Sequence, residues 1–320
     1  MSKEEITYRK AGVNIDAASK WVANLRKRFP GIGSFSGTFP LQTKNNKKYL
    51  LVAGCDGVGT KLKLLQKYDM HETAGIDLVA MNANDIITCG AKPLFFLDYI
   101  ACEKLKEKTL QKVIDGISAG CKETGLTLLG GETAQMPGFY KPDEYDLAGF
   151  AVGLVERSRM ITGKRIKEGD VVLGLPSSGP HSNGFSLVRK VLSKEDIEKY
   201  RAPLLKPTHL YVRPILDYLS SSAGKHIHGI AHITGGGFIE NIPRILPENC
   251  RVIIKTDRWK QPPIFKLIQN RAAISKMEMY RTFNMGIGMV LIVSRKYEKQ
   301  FPGAVPIGEV IYGKRRVTLE

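Results

Sequence analysis

Eight consecutive residues, Gly54-Cys55-Asp56-Gly57-Val58-Gly59-Thr60-Lys61, bring a carboxylate, glycines, a hydroxyl and an ammonium together after an apolar run from Tyr49 to Ala53. That set suits a metal-bound phosphate: Asp56 faces the cation, Gly57 and Gly59 let backbone donors approach, and Lys61 neutralises phosphate oxygens. A P-loop requires Gly-Lys-Ser/Thr after its four-residue gap, whereas here Thr60 precedes Lys61, so that motif is excluded. The octet also fits a tight turn with a solvated Asp and Lys, and the remaining polar clusters have to decide between the two.

Two more carboxylates stand in unusual company. Asp85 lies with Asn82 and Asn84 among Ile76, Leu78, Val79, Met81, Ile86 and Ile87. Polar groups in so apolar a stretch need partners; either a satisfied core network or a cation that Asp85 shares with Asp56 would supply them. Glu132 follows Gly130-Gly131. Asp56, Asp85 and Glu132 thus sit at element ends or in an apolar helix, as oxygen ligands of a hard cation would. In the second half, Pro176-Ser177-Ser178-Gly179-Pro180-His181-Ser182-Asn183-Gly184 collects hydroxyls, an amide and an imidazole before an apolar run. This suits an anion at a helix N-terminus, or elaborate capping. His232-Ile233-Thr234 leads into Gly235, Gly236 and Gly237. Three consecutive glycines cost folding entropy, which close backbone approach to a ligand explains better than a turn does.

The elements that would position these residues can be read from periodicity. Helices are expected over Asp16–Phe29, Gly75–Cys89, Lys106–Lys122, Phe185–Leu192 and Phe238–Ile245. Strands are expected over Tyr49–Ala53, Pro93–Ala101, Leu126–Leu129, Asp146–Glu156, Asp170–Leu175, Arg251–Thr256, Met285–Val293 and Val305–Tyr312. The segment Gly31–Gly37 reads as a lid over a phosphate or as a plain connecting loop. Arg157–Gly169 is charged and contains glycine, as a domain link should.

At 320 residues, 43% hydrophobic and 25% charged, the chain has room for two domains with real cores and is ordinary for a globular protein. No apolar h-region follows the charged start, and the longest apolar run falls short of a membrane span, so a cytoplasmic protein without membrane partners is expected. Five scattered cysteines without a CxxC pair support neither a disulfide framework nor a zinc site. The net charge of +17 alternates along the chain, basic before residue 70, acidic to 150 and basic beyond. Its basic runs, Arg26-Lys27-Arg28 and Lys314-Arg315-Arg316, lack interleaved aromatics, and no nucleic-acid partner is expected.

Taken in order with Asn82-Ala83-Asn84-Asp85 and Gly130 to Gly138, these motifs resemble the phosphoribosylformylglycinamidine cyclo-ligase (aminoimidazole ribonucleotide synthetase) family, from Tyr8-Arg9-Lys10-Ala11-Gly12-Val13-Asn14-Ile15-Asp16 to the final strand. The octet alone is shared with hydrogenase-maturation, selenophosphate and thiamine-phosphate enzymes, so a sister phosphotransferase is the alternative. The resemblance implies an α+β fold of two domains, 1–168 for ATP, Mg²⁺ and dimerisation and 169–320 for substrate, each a mixed sheet with packed helices. It implies a homodimer closed through first-domain sheets, and an ATP-dependent cyclisation of formylglycinamidine ribonucleotide through an iminophosphate. It further implies Asp56, Asp85 and Glu132 as Mg²⁺ ligands and Asp56, Gly57, Gly59, Thr60, Lys61 and Asn84 around ATP. Lys61, Asp85 and His181 become catalytic, Ser182, Asn183, Gly184 and Gly235 to Gly237 seat the substrate, and Asp98 supports the metal ligands. Cys55, where the family often has a hydroxyl, the glycine-poor Gly31–Gly37 segment and a short span between Val293 and Val305 depart from the pattern.

Overall fold

The computed structural model describes residues 5–28, 34–41 and 48–320. The chain falls into two compact units, one of 31–160 with 207–216, the other of 1–30, 161–206 and 217–320. The split near 160 lies inside the expected charged link, but the opening segment does not join the first sheet as the 1–168 boundary requires. Ile6 N–H donates to Ala272 O at 3.0 Å, Tyr8 N–H to Glu278 Oε1 at 3.3 Å and Lys190 Nζ to Lys10 O at 2.5 Å, which ties that segment into the C-terminal unit. Such long-range ties leave no periodic mark in a sequence. Helix α1 (Ile15–Arg28) is capped by Asn14, whose Oδ1 accepts the Ala17 N–H at 3.0 Å.

The unit of 31–160 runs β1 (Gly37–Pro40), β2 (Tyr49–Gly57), α2 (Leu62–Lys67), α3 (His71–Ile87), β3 (Lys92–Cys102), α4 (Glu107–Thr124), β4 (Thr127–Gln135) and β5 (Tyr145–Glu156). Its strands pair in the order β1-β2-β5-β3-β4, antiparallel except for β3 with β4, which α4 joins as a crossover. Helix α3 reads as apolar nearly all round because it is covered nearly all round: α4 lies against it so closely that a Cβ on Gly116 would come within 2.0 Å of Glu72 O. Strands β2 and β3 bury one face, with Leu50, Val52, Phe96 and Ile100, and expose the other. Both β2 and β4 run further than expected, through Gly54–Gly57 and through Gly130–Gln135. Their neighbours explain this. A Cβ on Gly57 would lie 2.9 Å from Leu147 O, and one on Gly131 would lie 2.4 Å from Asp98 Oδ1, so these two glycines are strand residues whose side-chain space is taken.

The rest of the chain adds β6 (Val171–Pro176), α5 (Phe185–Val191), α6 (Lys194–Lys199), α7 (Arg201–Leu205), α8 (Val212–Ser220), β7 (Ile227–His232), α9 (Gly237–Asn241), β8 (Cys250–Ile254), α10 (Pro263–Ala272), α11 (Lys276–Thr282), β9 (Ile287–Val293), β10 (Val305–Tyr312) and β11 (Arg316–Leu319). The sheet order is β11-β8-β10-β6-β9-β7, with only β11 and β8 parallel. All seven residues of β9 are buried, as its unbroken apolar run requires. The helix expected over Phe238–Ile245 is instead α9 followed by a 3₁₀ turn at Ile242–Ile245, where Pro243 removes a donor. Strands β1, β7 and β11 were not expected. Strand β7 carries Gly229, whose Cβ space is filled by Ile166 and Ile245, so its hydrophobic alternation is broken. The architecture is α+β in both units, a mixed sheet with packed helices. No helix among the described residues is long and apolar enough to cross a membrane.

Candidate functional site

In the first unit the octet is mostly strand. Gly54 to Gly57 complete β2, and only Gly59–Lys61 form a 3₁₀ turn, entered with Gly59 at φ +70°. Asp56 is half-buried, and its Oδ1 accepts the Gly57 N–H at 2.8 Å. Gly59 and Thr60 are exposed. From α3, Asn82 Nδ2 donates to Asp56 O at 3.2 Å and to Leu78 O at 2.9 Å, so a buried amide fixes the backbone of the very residue expected to bind phosphate or cation.

Lys61 is placed otherwise than expected. Its side chain is fully buried and its ammonium lies 2.7 Å from Asp77 Oδ2, on α3. Burial pushes the Lys61 ammonium's pKa down and the Asp77 charge opposes that shift. An ammonium so held is an internal anchor for the turn rather than an open phosphate ligand. Asn84 is also removed from the nucleotide set: its Nδ2 donates to His209 O and its Oδ1 accepts the Tyr211 N–H, both at 2.8 Å. For Asn84, the satisfied core network is the correct reading.

The carboxylates do not converge on one ion. Asp56 stands opposite Gly149, Gly149 opposite Asp98 and Asp98 opposite Gly131, with Glu132 next along β4. Three strand spacings separate Asp56 from the Gly131–Glu132 position, about 14 Å, beyond what one cation with oxygen ligands at about 2–2.5 Å can bridge. Asp85 is one turn beyond Asn82 on α3 and partly exposed, while Glu132 is exposed with Oε1 accepting its neighbour Thr133 N–H at 2.8 Å. Among the described residues no group of three His, Cys, Asp or Glu could hold a metal ion. The expected Asp56–Asp85–Glu132 ligand set therefore does not fit a single Mg²⁺ within this chain. Asp98 lies in the row between Asp56 and Glu132, and burial pushes its carboxyl pKa up. Cys55 is exposed beside Asp56, and partial burial, with the Asp56 charge, holds its thiol above the usual range. Of the Gly31–Gly37 segment, Gly31 to Gly33 lie outside the described residues, and Gly37 opens β1.

The second unit gathers its motifs more tightly. Strands β6 and β7 are both antiparallel to β9, which lies between them, so their C-terminal ends emerge at the same edge of the sheet. The loops after them are Ser177–Gly184 and Ile233–Gly236. Asn284, fully buried just before β9, stitches the first loop: its Nδ2 donates to Gly179 O at 2.8 Å, and its Oδ1 accepts from Ser177 Oγ at 3.1 Å and Gly286 N–H at 2.9 Å. His181 is buried with φ at +59°, and its Nε2 accepts the Ser178 N–H at 3.2 Å, which leaves the ring proton on Nδ1. Ser182 and Asn183 are partly exposed. Among the described residues the buried Asn183 Nδ2 has no hydrogen-bond partner, and a Cβ on Gly235 would lie 3.3 Å from its Oδ1, so the two expected substrate segments meet at this amide.

The glycines divide by role. Gly184, at φ +78°, is packed under the Phe283 ring, and its N–H donates to Tyr8 Oη at 3.3 Å. Gly236 and Gly237 have φ of +97° and +54°, and a Cβ on Gly237 would strike Tyr280 O at 2.0 Å; they shape the turn. Only Gly235 faces Asn183. Asn241, fully buried, donates to Thr234 O, Gly235 O and Gly237 O and so holds the loop. Sequence reasoning missed Tyr8, Asn82 as a backbone clamp, Asp77, Asn241 and Asn284. Asp77 could have been found by the test applied to Asn82 and Asp85, since it too is polar in an apolar helix.

Two family models match the chain: "AIR synthase related protein, N-terminal domain" over residues 40–155 and "AIR synthase related protein, C-terminal domain" over 167–316. The sequence is 50% identical to the chloroplastic phosphoribosylformylglycinamidine cyclo-ligase of Arabidopsis thaliana, covering 97% of this chain and 82% of that protein. It is 46% identical to the phosphoribosylformylglycinamidine cyclo-ligase of Alkaliphilus metalliredigens, covering 100% and 99%. In fold it is similar to thiamine monophosphate kinase from Aquifex aeolicus, with TM-score 0.66 at 17% identity over 93% of this chain and 94% of that one. A chain of a HypE–HypF complex gives TM-score 0.68 at 16% identity over 94% and 95%. At these identities the likeness is one of fold.

Proposed function

Since the chain belongs to the phosphoribosylformylglycinamidine cyclo-ligase family, we propose that the Asp56–Thr60 turn of its first unit receives ATP and that the loops after β6 and β7 seat the ribonucleotide. The protein is an ATP-dependent ligase of purine biosynthesis that closes formylglycinamidine ribonucleotide to aminoimidazole ribonucleotide. The formyl amide oxygen attacks the γ-phosphorus of ATP, ADP leaves, and an iminophosphate forms. The amidine nitrogen then attacks that carbon, inorganic phosphate departs with the former amide oxygen, and loss of a proton leaves the aromatic ring. Work of this kind is done by positioning and by neutralising charge.

The meeting of the two loops at Asn183 and Gly235 carries the assignment of the substrate half. An unpaired amide donor beside a glycine whose backbone is open to approach suits an oxygen-rich ribonucleotide. Ser182 adds a hydroxyl, and Gly235, the loop glycine not packed under other protein atoms, is the one that lets the ribose phosphate approach. His181, with Nε2 engaged by the Ser178 amide, carries its proton on Nδ1 and offers that N–H as a hydrogen-bond donor to the oxygen that leaves with phosphate. In the nucleotide half, Gly59 and Thr60 offer backbone and hydroxyl donors, with the Asp56 carboxylate, held on the Gly57 N–H, beside them and Asp85 supplied from α3. Mg²⁺ is assigned to the ATP phosphates it arrives with, whose negative charge it would neutralise. The protein acts as a homodimer in the cytoplasm. The homodimer has support in the exposed apolar face of the first sheet, which carries Phe39, Leu97, Tyr99, Leu129 and Phe150.

The test is ADP release from ATP with and without formylglycinamidine ribonucleotide, with aminoimidazole followed in the same tube. One-to-one coupled formation is the expected result. ATP turnover without aminoimidazole would move the assignment to a sister phosphotransferase, and silence in both channels would remove the enzyme reading.

A further inference from the structure

The octet's lysine and a segment from the far half of the chain meet on one buried carboxylate. Asp77 Oδ2 lies 2.7 Å from Lys61 Nζ, and both side chains are fully buried. Its Oδ1 accepts the Thr208 N–H at 2.6 Å. Seven residues on, two turns along the same face of α3, Asn84 takes the next part of that segment, accepting from Tyr211 N–H and donating to His209 O. The chain returns to the first unit only for residues 207–216, and the entry of that strap is fixed at these two side chains. Lys61 ends the 3₁₀ turn that follows Asp56, so whatever holds Lys61 sets the path of Gly57 to Thr60.

We propose that Asp77 is a positioning residue for the nucleotide turn: with one oxygen on Lys61 and the other on the Thr208 amide, it locks the Gly57–Lys61 turn and the 207–211 strap onto α3 in the form that accepts ATP phosphates. The inference rests on the reading of Asp56 to Thr60 as that turn. A surface Lys–Asp pair would be dispensable, but a desolvated one is sensitive to the loss of either partner, because the remaining charge is left uncompensated. Removing both charges restores the balance of solvation without restoring the geometry.

The experiment uses the full chain and three variants, with KM for ATP and for formylglycinamidine ribonucleotide measured separately and hydrogen exchange followed in the 57–62 and 208–211 peptides. Asp77→Asn is expected to raise the KM for ATP about tenfold with the ribonucleotide KM within about twofold, and to speed exchange in both peptides. Lys61→Met combined with Asp77→Asn is expected to regain thermal stability lost by the single variant while keeping the raised ATP KM. Asp56→Ala is the reference for the underlying reading. If Asp56→Ala weakens ATP but Asp77→Asn does not, or if the double variant returns ATP affinity to the wild-type value, the positioning role is overturned. A rise of both KM values together would make Asp77 a stability residue and overturn it as well. If Asp56→Ala leaves ATP affinity unchanged, the nucleotide assignment of the turn falls, and the positioning role with it.

Discussion

Gly235 and Gly237 are two residues apart and answer to different constraints. At Gly237, φ is +54° and a Cβ would collide with Tyr280 O, so Gly237→Ala combines a left-handed strain with a backbone clash. The expected cost is about 2–4 kcal/mol, read as a fall of several degrees in Tm. At Gly235 a Cβ meets only the Asn183 side-chain oxygen at 3.3 Å. Gly235→Ala is therefore expected to keep the Tm near wild type while raising the ribonucleotide KM several-fold with the ATP KM unchanged; equal KM values would confine Gly235 to the turn. Asp85 poses a sharper question, because it does not share an ion with Asp56 and Glu132 in one chain. Asp85→Asn preserves shape and removes charge, and is expected to lower kcat about 100-fold with an unaltered circular dichroism spectrum. A wild-type rate would take Asp85 out of the chemistry.

At the scale of elements, α3 is the organiser. It clamps Asp56 through Asn82, anchors Lys61 and Thr208 through Asp77 and receives the strap through Asn84. Asn84→Ala leaves the Tyr211 N–H and the His209 carbonyl without these partners. The expected loss is about 1–3 kcal/mol in urea denaturation with an unchanged slope; a midpoint equal to wild type would mean that the strap is held elsewhere. The sequence announced α3 as a buried helix with embedded polar residues, because burial on all sides erases amphipathic periodicity and leaves the polar exceptions conspicuous. It announced β5, β9 and β10 almost to the residue for a similar reason: long β-branched or apolar runs have few alternatives. What it hid was the direction of side chains. Lys61 and Asn84 have the residue types of ligands, and only the register of α3 against the turn and strap turns them inward. The strand character of Gly57 and Gly131 was hidden too, since a glycine whose Cβ space belongs to a neighbour looks in sequence like a glycine that turns the chain.

At the scale of the whole molecule, the first sheet has one face covered by α3 and α4 and another that carries a run of apolar side chains. Cys55, Phe150 and Leu97 are directly opposite one another across β2, β5 and β3, and Tyr99 continues the face along β3. Phe39 on β1 and Leu129 on β4, 67% and 61% exposed, extend the apolar surface across the full width of the sheet. A contiguous patch of this kind is rarely left to water. The net charge of +17 opposes association, so the apolar burial across this face has to outweigh the repulsion between two copies. The wild-type chain is therefore expected to sediment at twice its 35.5 kDa at micromolar concentration. Phe150→Glu, which places a carboxylate at the centre of the face, is expected to shift the protein to the monomer, whereas Lys122→Glu on the exposed side of α4 leaves the mass unchanged. A monomeric wild type, or a Phe150→Glu variant that remains dimeric, would mean that this face is not the one through which the copies associate.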